Sequence, residues 1–109
     1  MARVRRVRAV EDDVEHALRH TLKTFGRWKY EEYVALIEEA FAALSEAPTS
    51  GRPRPEIDRD AWIYPIGQRG RRARHVLLYR IVDVDEVEVL ALAYDAMDLP
   101  RRWRTRAPP

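Results

Sequence analysis

The sequence predicts an α+β domain in two layers: a short N-terminal strand, a helical hairpin, then a three-stranded antiparallel meander. Three observations carry this expectation. Apolar residues recur at helical spacing from Val14 to Phe25 and again from Tyr30 to Leu44. Two runs rich in branched and aromatic residues, HVLLYRIV and EVEVLALAY, are joined by Asp83-Val84-Asp85, the pattern of a β-hairpin. Between these halves lies GRPRPEIDRD, whose prolines favour extended backbone.

The elements follow in order. Val4, Val7 and Val10 among arginines read as a first strand. Val14, Ala17, Leu18, Thr21, Leu22 and Phe25 then form one helical stripe. Gly26 ends that helix because glycine adopts the left-handed conformation cheaply, and Lys23 in the last turn complements the helix dipole. Tyr30, Tyr33, Val34, Ile37, Phe41 and Leu44 repeat the stripe in a second helix, which Pro48, Ser50 and Gly51 terminate. AWIYPIG supplies a short strand before the hairpin. Leu18, Leu22, Ile37, Phe41, Leu78 and Leu90 are the expected core between helices and sheet.

The bulk properties exclude several classes of function. A chain of 109 residues with 46% apolar content forms one domain with a modest core. There is no cysteine, so disulfides and thiolate zinc sites are excluded. No apolar run approaches membrane-spanning length, and MARVRRVRAVEDD has no signal-peptide core, so a cytoplasmic location is expected. Twenty Lys and Arg nearly balance eighteen Asp and Glu, yet the signs are segregated. Acids concentrate between Glu11 and Glu46, arginines at the N-terminus, in QRGRRARH and in PRRWRTR. A bipolar surface of this kind can meet a polyanion or an acidic partner on one side.

Gly51-Arg52-Pro53 after the second helix, His75 opening a strand that continues to Tyr79-Arg80, and the ending Met97-Asp98-Leu99-Pro100 resemble the RelE/ParE superfamily of type II toxin–antitoxin toxins. The likeness is greatest to the ParE, or plasmid-stabilisation, branch. It covers residues 4–103 as a single toxin domain, with residues 104–109 expected as a basic, flexible tail. The resemblance implies a toxin neutralised by a small antitoxin of ribbon-helix-helix type. ParE-like members poison DNA gyrase, and RelE-like members cleave mRNA on the ribosome. The chain departs from the family's pattern at Tyr94, where a histidine is usual, and in the longer, more basic stretch from Gln68 to Arg74.

Metal-independent RNA cleavage by the 2′-hydroxyl needs a base, an acid and cations on the phosphate. His75, Arg80, Tyr94 and Arg101 are the candidates for that chemistry, and they form no arginine–lysine–histidine constellation. A phenol with an ordinary pKa near 10 is a poor base unless cations flank it. His16 and His20 stand four apart on a helix, but no third ligand accompanies them, so no metal and no cofactor is expected. Arg69, Arg71, Arg72 and Arg74, with Arg101, Arg102 and Trp103, are candidate contacts for a target or polyanion: guanidinium grips phosphate bidentately, and indole stacks on bases. The sequence thus favours a toxin that binds a protein target such as gyrase. An endoribonuclease and a degenerate, non-toxic interaction module are the alternatives.

Overall fold

The computed structural model describes residues 1–67 and 75–109. Strand β1 (Arg3–Arg6) leads into helix α1 (Arg8–Phe25), and helix α2 (Arg27–Glu46) follows after one residue. That residue, Gly26, has φ 87° and donates its N–H to the Leu22 carbonyl, a geometry only glycine adopts without strain. A short 3₁₀ turn (Pro48–Ser50) and strand β2 (Arg52–Pro53) precede β3 (Trp62–Ile66), β4 (His75–Asp83) and β5 (Glu86–Tyr94). Helix α3 (Leu99–Arg106) closes the chain.

The architecture is α+β in the expected element order, and the meander β3-β4-β5 is antiparallel with Val84 and Asp85 at its two-residue turn. Two further strands enlarge the sheet to five, in the order β1-β5-β4-β3-β2. β1 pairs parallel to β5, with Arg3 opposite Glu86, and β2 pairs antiparallel to β3. Leu90 is an extra residue on β5, because Leu78 faces Ala91 while Tyr79 faces Val89. The bulge puts both Leu90 and Ala91 in the cluster on the face away from the hairpin.

Helices α1 and α2 pack on one face of the sheet. Val10, Ala17, Ile37, Ala40, Phe41 and Leu44 meet Leu77, Tyr79, Val87, Val89 and Leu92 there. Ile37 and Phe41 are buried as expected, but Leu22 stands half-exposed because Thr21 takes the inward position of that turn. The Thr21 hydroxyl is satisfied by donating to the Ala17 carbonyl at 2.8 Å. Leu78 and Leu90 are fully buried, yet on the opposite face, with Ile57, Ile63, Val76, Leu99 and Trp103. α3 and the segment around Ile57 cover that face.

The C-terminal residues are therefore not a free basic tail from Arg104: the helix runs to Arg106. Asp98 caps it by accepting from the Arg101 N–H at 3.1 Å, and Pro100 sits in the first turn, where a missing N–H costs nothing. Arg106 then reaches across the sheet edge. Its guanidinium donates to both Asp13 carboxylate oxygens, at 2.8 and 3.0 Å, and to the Leu90 carbonyl at 2.8 Å. Asp13 also accepts from the Leu92 N–H at 3.1 Å. β1 pairs only with residues 86–89, so these two side chains take the hydrogen bonds that a longer edge strand would make.

The turn into β2 depends on glycine for another reason. The Tyr79 hydroxyl donates to the Pro48 carbonyl at 2.7 Å and accepts from the Gly51 N–H at 3.2 Å. A Cβ on Gly51 would collide with the Ile63 carbonyl and with that hydroxyl. Gly51→Ala should therefore lower stability by about 1–3 kcal/mol, the usual cost of overpacking. Thermal unfolding measures it, and a midpoint equal to wild type would show that the turn shifts freely.

Candidate functional site

The sequence-selected residues do not converge on one centre. His75 and Tyr94 open β4 and close β5, facing each other in the ladder, and their rings lie 4.2 Å apart. Tyr33 from α2 joins them, edge-on to His75 at 5.2 Å. Arg80 pairs with Glu88 instead, at 2.8 Å, and lies five residues along the strand from His75, roughly 17 Å at strand rise. Glu88 in turn meets Arg5 at 3.4 Å, so Arg80 belongs to a structural ion cluster between β4, β5 and β1.

The electrostatics of the His75 group disfavour its cationic, proton-donating form. Burial, and secondly the nearby charge of His20, hold the His75 imidazole below the usual histidine range. Its Nε2 and the Tyr33 hydroxyl are buried with no hydrogen-bond partner among the described residues. Burial, reinforced by Tyr94, raises the Tyr33 phenol well above its ordinary value, so it stays protonated. In this conformation the Nε2 of that imidazole is turned inward and is not offered to a substrate hydroxyl.

A pH dependence follows with a defined sign. His75 is neutral when folded and titrates near 6.5 when unfolded, so below that pH the unfolded chain binds more protons. Its contribution is complete above about pH 6.5 and is lost as pH falls towards the lowered folded value. His75→Gln should flatten this part of the profile in urea unfolding between pH 8 and 5. An unchanged slope would sink the assignment.

Arg101 is exposed on α3 beside Met97, Asp98, Arg102 and Thr105, with the Arg102 guanidinium 3.6 Å from the Met97 sulfur. Trp103 points the other way and is only 6% exposed, so it anchors α3 in the core and cannot stack on a base. Arg69, Arg71, Arg72 and Arg74 lie outside the described residues. His16 and His20 are exposed on α1, and no group of three metal-binding side chains forms among the described residues.

The apolar groove with a charged rim that the incompletely covered stripes lead one to expect lies open on the helical hairpin. Val14, Leu18, Leu22 and Tyr30 form its floor, and Glu11, Glu15 and Arg19 its rim. The signal was present in the sequence: each apolar stripe is broader than one sheet face can cover. The groove offers an apolar segment a seat with charges on one flank.

A family model, the ParE toxin of the type II toxin–antitoxin system parDE, matches residues 4–99. The chain belongs to the ParE toxin family. As a ParE-type protein it is the toxin side of a type II toxin–antitoxin system. Among solved structures, the chromosomal ParDE TA system from P. aeruginosa superimposes with a TM-score of 0.68 at 18% identity. The match covers 86% of this chain and 96% of that one, and it supports the shared fold. No curated protein matches the sequence. No helix among the described residues is long and apolar enough to cross a membrane.

Proposed function

We propose that this ParE-type chain acts in the cytoplasm by binding a protein target, DNA gyrase being the first to test, without cleaving RNA. The observation that carries the reading is a contrast. Among the residues considered for ribonuclease chemistry, the His75 Nε2 is buried and Arg80 is already paired, so the exposed Tyr94 and Arg101 stand without them. The hairpin groove over Val14, Leu18 and Leu22, by contrast, is open. Binding surfaces need exposed apolar area, and catalysis needs a reachable base. A small cognate antitoxin of ribbon-helix-helix type neutralises the toxin by laying an apolar segment in that groove. Arg101 and Arg102 on the exposed side of α3 supply an additional contact for acidic groups.

Induced expression in a bacterial host tests this directly. The expected result is arrest of growth with arrest of DNA replication, inhibition of purified gyrase, and relief by the product of the adjacent small reading frame. Specific RNA cleavage that disappears with Tyr94→Phe would replace this reading with the endoribonuclease one. Growth unaffected at high expression would favour a non-toxic interaction module.

A further inference from the structure

Resting on the target-binding reading, we infer that the tip of the helical hairpin is the element that engages the target. Leu22, Phe25 and Trp28 are 46, 63 and 79% exposed, three large apolar side chains within seven residues around Gly26. Every residue from Leu22 to Lys29 is exposed, so nothing among the described residues covers them. Exposed aromatics of this kind are anchors at protein interfaces, where they fill pockets and carry most of the affinity.

The charges around the tip define the partner's chemistry. The only two lysines of the chain, Lys23 and Lys29, flank the aromatic pair together with Arg27. The tip is thus an apolar wedge in a cationic collar, and it fits an apolar slot edged by carboxylates. A lipid surface of anions fits less well. Arg27 and Lys29 each lie against a carboxylate of α2, Glu31 at 3.3 Å and Glu32 at 3.6 Å, which an anionic membrane repels. A protein pocket can place one or two carboxylates at the collar and leave those acids in water.

The tip adjoins the groove through Leu22, which belongs to both. A segment seated over Val14, Leu18 and Leu22 runs directly into the wedge. One occupant therefore excludes the other, and neutralisation needs no change of fold.

The test compares three forms in the growth-arrest assay, with thermal unfolding of each purified protein as the check on folding. The double substitution Phe25→Ser, Trp28→Ser touches no core residue and should melt like wild type. It should raise the inducer level for half-maximal arrest at least about tenfold, the loss typical of removed anchors. Val84→Ser, equally exposed at 79% but placed between Asp83 and Asp85 at the β4–β5 turn, should leave arrest unchanged. Arrest by the wild-type chain checks the target-binding reading, and undiminished arrest by the double variant overturns the tip assignment alone. A blue shift of Trp28 emission on adding phosphatidylglycerol vesicles, absent from Trp28→Ser, would overturn it in favour of a membrane surface. Concentration-dependent self-association abolished by the double variant would overturn it in favour of a second copy of this chain.

Discussion

Replacing Phe41 with alanine lowers the stability of the fold by about 3–5 kcal/mol, the range for truncating a buried aromatic ring. Phe41 lies on the inward face of α2, in the cluster that joins both helices to Leu77, Tyr79, Val87 and Val89. The Arg6 guanidinium covers its ring at 3.8 Å from the centroid, so the outer face of the ring is also occupied. Alanine removes the packing on both sides and leaves a cavity that the helix cannot collapse into, because Ile37 and Leu44 hold it one turn away on either side. Urea unfolding reads the loss as a lower midpoint with the slope retained. A variant melting within a few degrees of wild type would show that α2 does not bear on the sheet as described.

The second large effect is expected at the Asp13–Arg106 pair. Both side chains are mostly buried, with 14 and 16% of their surface exposed. Arg106→Ala leaves the Asp13 carboxylate without its cation and the Leu90 carbonyl without a donor, at a cost of about 2–4 kcal/mol. Asp13→Ala should cost a similar amount, because the Leu92 N–H loses its acceptor and the part-buried guanidinium keeps the Leu90 carbonyl but loses its counter-ion. The double variant should be much less damaged than the sum, with a coupling of about 1–3 kcal/mol. Arg106→Lys should recover only part, since a single ammonium cannot span both carboxylate oxygens and the carbonyl together. Additivity of the two single losses would mean that the pair contributes nothing as a unit.

What the sequence made legible was periodic. The helical stripes located α1 and α2, and the strand runs located β4 and β5 within a residue. Periodicity reports which face is apolar but not where the opposing surface ends. Leu22 therefore reads as core, with Phe25 on the same stripe, although both are exposed at the end of the hairpin. β1 reads as a strand, though Val10, which the sequence assigns to it, falls in α1. Its parallel partner could not be chosen, because four residues, three of them arginine, fit several edges. α3 was readable and was missed: Asp98 before Leu-Pro, with arginines in the last turn, is a helix start and stop in sequence form. Its two apolar anchors, Leu99 and Trp103, stand four apart and pass for isolated residues. The Asp13–Arg106 contact joins positions far apart in the chain, and neither residue carries a local cue. The candidate site was the least legible part, because exposure of the tip depends on what the fold fails to cover.

The pairing of β1 with β5 also orders events during synthesis. Arg3 finds its partner only when Glu86 exists, so the first strand to be made waits for the last. Until then the inner faces of α1 and α2, with Ile37, Phe41 and Leu44, have no sheet to lie on. A nascent chain can form the hairpin locally, but the finished sheet edge and the Arg106 contact across it arise only once β5 and α3 have been made. Any activity that needs the completed fold is thereby withheld from the growing chain.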